Sequence, residues 1–118
     1  MKKVIIAGSR GIHDINIIQK AIDQANVEVS EVVSGMAGGV DQLGVDWAKE
    51  NNIPVKPFAA NWKDLSAPGA VIKLNKFRQP YNARAGYDRN KDMAEYVAPD
   101  GMLIAIMGRK KSRYKEHD

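Results

Sequence analysis

The apolar positions of this chain follow two rhythms. Val4 to Ala7, within the stretch Lys3 to Ala7, is a short unbroken apolar run, and Val29 to Val33 is a second valine-rich run, interrupted by Ser30 and Glu31. Runs of that length, bounded by glycine and polar residues, predict strands buried on both faces of a parallel sheet. Between them Ile15, Ile18, Ile22 and Ala25 recur at helical spacing behind Asp14, a residue type suited to an N-cap. Val40, Leu43, Gly44, Trp47 and Ala48 repeat that spacing and predict a second helix from Val40 to Asn51. Ile53 to Phe58 reads as a third strand. Pro54 and Pro57 each withhold a ladder donor there, which places it at a sheet edge. A third helix is expected at Tyr87 to Val97, with Met93, Ala94 and Val97 on one face, and a fourth strand at Met102 to Met107. Strands and helices that alternate with short connections imply right-handed βαβ units. The expected architecture is α/β and doubly wound, with a mostly parallel four-stranded sheet in the order 3-2-1-4 and one domain over residues 1–118.

One stretch breaks the rhythm. Ala59 to Ala85 has no clean period. Ser66-Ala67-Pro68-Gly69 and Gln79-Pro80 read as turns, and Ala70 to Leu74 as either a short strand or a helical turn. A long connection before the last helix of a compact α/β domain is often functional. This one is basic: Lys63, Lys73, Lys76, Arg78 and Arg84 stand against Asp64 alone, interleaved with Trp62, Phe77 and Tyr81. It is expected either to cap a ligand cleft or, less favoured, to hold single-stranded nucleic acid.

Charge sharpens that picture. The net charge is +4, and it is uneven. Residues 1–60 carry six basic and seven acidic side chains, residues 61–118 twelve and seven. A basic half favours an anionic ligand or nucleic acid. No apolar run approaches the roughly 18–20 residues of a membrane span, and the N-terminal run is too short for a signal peptide, so a cytoplasmic protein with no membrane partner is expected. With no cysteine and only His13 and His117 as histidines, disulfides, thiolate catalysis and Cys-ligated zinc are excluded, and no metal site is expected.

On a sheet of this order, ligands bind outside the carboxyl ends of the strands. Four loops lie there: Gly8 to Gly11, Ser34 to Asp41, the segment after Phe58, and Gly108 to Ser112. Gly8 lets a ligand approach the backbone, while Ser9 and Arg10 offer a hydroxyl and a guanidinium fork to a phosphate. Ser34, Gly35, Gly38 and Gly39 form a glycine-rich strand-to-helix loop, whose N–H groups and helix N-terminus suit an anion. The spacing is not GxGxxG, so a dinucleotide fingerprint is not supported. Asp41 reads either as a first-turn or capping acid or as an acceptor for a ribose hydroxyl. Arg89 and Asn90 are expected to open the third helix, where a cation opposes the helix dipole, a conflict that favours a functional role. No Ser-His-Asp set can be assembled.

Ala7-Gly8-Ser9-Arg10, Val33-Ser34-Gly35 with Gly38 and Asp41, Trp47-Ala48, Ile53-Pro54-Val55 and Ala85 to Ala94 together resemble the YspA-related SLOG family (DUF2493), a branch of the Rossmann-like SMF/DprA–LOG superfamily. The resemblance covers nearly the whole chain. It implies a Rossmann-like fold for a nucleotide or ADP-ribose-like ligand, acting as a sensor or sequestering module in bacterial or phage conflict. It places ligand contacts at Gly8, Ser9, Arg10, Ser34, Gly35, Gly38, Asp41, Arg89 and Asn90. Relatives also include cytokinin-activating phosphoribohydrolases and the DNA-uptake protein DprA, so N-glycoside cleavage with Asp41 as the acid, or single-strand binding, are the alternatives. The phosphoribohydrolase loop Pro-Gly-Gly-x-Gly-Thr with its glutamate has no counterpart here, and the family's Gly-Thr after the fourth strand is replaced by Tyr114-Lys115. The expectation is therefore a binder without assigned catalytic residues. The family's last helix and strand are missing on this reading, which exposes sheet for an oligomer partner to cover.

Overall fold

The computed structural model describes residues 1–108. A four-stranded parallel sheet carries the core. In chain order it comprises β1 (Lys2–Gly8), α1 (Asn16–Ala25), β2 (Val29–Ser34), α2 (Val40–Glu50) and β3 (Val55–Pro57). After a separate hairpin, β4 (Ile72–Leu74) and β5 (Pro80–Asn82), the chain adds α3 (Ala85–Val97) and β6 (Met102–Ile106). The sheet order is β3-β2-β1-β6. This is the expected 3-2-1-4 arrangement and a Rossmann-like layout; the last strand is sixth in the chain only because the hairpin precedes it.

The sheet is clothed unequally. On one face Val4 and Ile6 of β1 and Val29 and Val32 of β2 pack with Ile18 and Ile22 of α1 and with Val40, Trp47 and Ala48 of α2, all of them buried. Val29 and Val32 share a face despite their odd spacing, because the β1–β2 register slips at Ser30, where Lys2 pairs with Val29 and Lys3 with Glu31. On the other face Ile5 and Val33 meet Met93 of α3. Tyr96 fastens that helix by donating a 2.6 Å hydrogen bond to the Glu31 carboxylate of β2. The Trp47 indole N–H donates to Gln19 at 2.8 Å and ties α2 to α1.

The N-cap of α1 is Ile15, one residue after the expected Asp14, which instead forms a turn leading into the helix. The Asp14 Oδ1 accepts from the Asn16 N–H at 3.0 Å, and its carbonyl from that of Ile17. β3 is an edge strand, as its prolines require. The third helix begins at Ala85, two residues before the expected Tyr87. Its first-turn acid is Asp88, and Arg89 stands beyond the first turn, so the expected clash between Arg89 and the helix dipole does not arise. No helix among the described residues is long and apolar enough to cross a membrane.

Residues 59–85 contain the hairpin, in which Ile72 pairs with Asn82, Lys73 with Tyr81 and Leu74 with Pro80. Its base is fixed by Asn82, which is almost fully buried. The Asn82 N–H donates to the Trp62 carbonyl at 2.7 Å, and its Oδ1 accepts from Val71 and Arg84. Residues 71–80 are exposed throughout.

Candidate functional site

The carboxyl ends of β1, β2 and β6 are stitched together by backbone. Gly8 is the tightest point, since a Cβ there would overlap the Ile106 carbonyl on β6. Ser9 comes next and is used three times. Its N–H donates to the Ile106 carbonyl at 3.0 Å, its carbonyl accepts from the Val40 N–H at 3.1 Å, and its Oγ accepts from the Gly108 N–H at 2.6 Å. One residue thereby joins three of the four predicted loops. Arg10 follows it with an exposed side chain.

The β2–α2 loop separates its glycines by role. Gly39 has φ +68°, and a Cβ on it would overlap Ser9 O and Arg10 Cα. It is glycine because the two loops touch there. At Gly38 a Cβ would meet nothing within 4 Å, and its φ is not positive. The fold therefore makes no demand for glycine at Gly38. The N–H groups of Gly38 and Gly39 have no hydrogen-bond partner among the described residues, and they stand at the N-terminal end of α2.

Ser34 and Asp41 hold the loop in shape. The buried Ser34 hydroxyl accepts from the Met36 N–H at 3.1 Å and makes a long 3.5 Å contact to the Asp41 carbonyl. The Asp41 side chain is 6% exposed, and its Oδ2 accepts from the Ala37 N–H at 3.2 Å. Asp41 stands in the first turn of α2. Met36 takes a left-handed backbone, φ 60°, between these two bonds. The sequence carries no signal for that, because methionine has no preference for such a turn.

Arg89 reaches in from α3. Its Nη1 donates to the Gly35 carbonyl at 2.6 Å and its Nε to the Asn90 Oδ1 at 2.9 Å. A Cβ on Gly35 would lie 2.9 Å from Arg89 Nη1 and 3.1 Å from Asp41 Oδ2, so the guanidinium, the loop and the carboxylate crowd one point. Asn90 is exposed. Trp62, from the segment after β3, packs on Gly86, whose Cβ would come 2.9 Å from the indole and 3.7 Å from Arg89 Nη2. Arg84 instead pairs with Asp88 at 3.3 Å, both side chains being largely exposed.

The structure therefore brings Gly8, Ser9, Arg10, Ser34, Gly35, Gly38, Gly39, Asp41, Arg89 and Gly108 to one end of the sheet, with Asn90 beside them. Ser112 lies outside the described residues. A profile described as the YspA, cpYpsA-related SLOG family matches residues 2–64, just over half of the chain. No curated protein and no solved structure matches. The matched span holds β1, the glycine loop, α2 and β3, the elements that build most of this ridge, and the chain belongs to the YspA, cpYpsA-related SLOG family.

Proposed function

We propose that this protein binds a nucleotide or nucleotide-derived, ADP-ribose-like ligand at the carboxyl ridge of its sheet, as a sensor or sequestering module. Membership of the SLOG family supports a nucleotide-related role, in binding or processing. The observation that carries the reading further is Gly38. Packing leaves a Cβ there in open space, yet the residue is glycine, its N–H and that of Gly39 are unengaged among the described residues, and α2 begins behind them. Adjacent free N–H groups at a helix N-terminus suit a phosphate. Arg10, exposed and in the loop that Gly39 touches, adds a cationic fork.

Binding without turnover is the favoured form because Asp41, the one acid considered for N-glycoside cleavage, is occupied in bracing the loop through Ala37. Gly8, Ser9, Ser34, Gly35 and Arg89 shape the ridge, while Arg10 and the Gly38-Gly39 backbone meet the ligand. No further cofactor is invoked.

Calorimetry with ADP-ribose, AMP and NAD tests this. Arg10→Ala is expected to weaken binding by about 1.5–3 kcal/mol, the scale of a charge-assisted hydrogen bond. Unchanged affinity in the folded variant, or no binding by the wild type, removes the site. Multiple turnovers releasing free base, abolished by Asp41→Asn, would make the protein a hydrolase instead.

A further inference from the structure

We propose that the β4–β5 hairpin, together with Trp62, is a contact surface for single-stranded nucleic acid, beside the nucleotide ridge and independent of it. The hairpin lies beyond residue 64, where the family match ends. Of the aromatic side chains among the described residues, the three strongly exposed ones are Trp62 at 41%, Phe77 at 71% and Tyr87 at 62%. Phe77 is at the hairpin tip, Trp62 lies in the segment before β4, and Tyr87 is in the first turn of α3. A two-stranded hairpin gains little stability by itself, and exposed aromatics add none to a surface facing water.

The tip is built to hold its side chains outward. Asn75 Oδ1 accepts from the Phe77 N–H at 2.8 Å and the Gln79 N–H at 3.0 Å, and Arg78 turns with a φ of 61°. Lys76, Phe77 and Arg78 therefore project from a pinned turn, with Lys76 Nζ 5.2 Å from the Phe77 ring centre. Behind the tip, Trp62 and Tyr81 meet edge to face at 6.3 Å and, with Leu74, Asn75 and Lys76, line an open cleft of about 620 Å³. Lys73 stands directly across the ladder from Tyr81. No carboxylate of the described residues lies within 4.0 Å of Lys73, Lys76 or Arg78.

Cations with no carboxylate partner among the described residues, set around aromatic faces, form the arrangement that grips a single strand: phosphates on the lysines and arginine, bases stacked on the rings. An acidic protein would use the cations and leave the aromatic cleft idle. A bilayer would take up Phe77 with Ile72 and Leu74 and likewise leave the Trp62–Tyr81 cleft empty. A nucleic-acid strand uses both parts.

The test is fluorescence anisotropy of the full chain with labelled oligothymidylate and oligouridylate of about 15 nucleotides. If three or four phosphates are contacted, affinity falls by about 20- to 50-fold between roughly 50 and 200 mM salt. The triple reversal K73E/K76E/R78E is expected to cost at least tenfold at low salt. Base stacking should quench Trp62 emission while that of the buried Trp47 is unchanged, so W62F removes the quench. Failure of this proposal is distinguishable from failure of the nucleotide site. The triple variant should keep its mononucleotide affinity in calorimetry, and Arg10→Ala should keep its oligonucleotide affinity. No oligonucleotide binding at low salt, binding untouched by the triple reversal, or binding to anionic phosphatidylserine vesicles in place of oligonucleotide would overturn it.

Discussion

The strand-end ridge and the hairpin are both loop-rich and both carry arginine, yet they are built on opposite principles. At the ridge, backbone lies against backbone: Gly8 on Ile106, Gly39 on Arg10, Ser9 bonded to three partners. In the hairpin, Asn82 secures the base and every residue from 71 to 80 faces solvent. The difference teaches where substitutions register. At the ridge most changes are felt first as lost stability, whereas in the hairpin they are felt only by what the hairpin touches.

The largest break in that contrast comes from Gly8→Val. It forces a side chain into the β1–β6 ladder and is expected to cost about 3 kcal/mol, read as a lower urea midpoint. Gly38→Val sharpens the comparison inside the ridge. Because a Cβ at Gly38 meets open space, the variant should keep the wild-type melting temperature and lose nucleotide affinity, whereas Gly39→Val, which overlaps Ser9 and Arg10, should lose both. Thermal melts paired with calorimetry separate the two. Arg89→Ala removes the charged donor to Gly35 and should cost about 1–2 kcal/mol in urea unfolding. Phe77→Ala and Lys73→Ala should stay within about 0.5 kcal/mol of wild type, as exposed sites do, and a larger loss would show the hairpin to be part of the fold.

The smallest effect concerns pH. The hydrogen bond from Tyr96 to the Glu31 carboxylate, with burial and the Glu31 charge behind it, holds the phenol above its ordinary value of 10.0. The folded state therefore binds that proton more tightly than the unfolded chain. Its contribution is complete below pH 10 and fades as pH rises through the raised folded value. Tyr96→Phe should flatten the alkaline end of a stability-against-pH curve, and an unchanged slope would show that the bond does not couple to folding.

The sheet was legible because β1, β2 and β6 are short runs dominated by Val, Ile, Leu and Met and the helices carry regular spacing, signals that survive without tertiary context. The hairpin was only half legible: β4 falls in Ala70 to Leu74, one of whose two readings is a short strand, whereas Pro80, read as part of a turn, opens β5. Its strands are three residues each; β4 is exposed throughout and β5 buries only Asn82, so no buried alternation marks them. The start of α3 was hidden because Gly86, a poor helix former, sits in the first turn, where the Trp62 indole leaves no room for a Cβ. At the candidate site, residue types pointed to the right end of the sheet but not to the division of labour. Gly38 and Gly39 are neighbours of one type, and only the backbone of Arg10 against one of them tells them apart. The family resemblance places a ligand contact at Ser34, and in the fold its hydroxyl is buried and engaged with Met36.

The prolines of β3 bear on how copies of this chain can meet. Pro54 O and the Phe58 N–H bond inward to β2, so the alternate residue Pro57 directs its missing donor outward. That border of the sheet is closed to a further strand. At the opposite border β6 has no proline, and Leu103 is 61% exposed. A sheet needs both borders open to propagate strand by strand, and the β3 border is sealed. Strand-to-strand growth through the β3 border is therefore blocked, whatever lies along the other one.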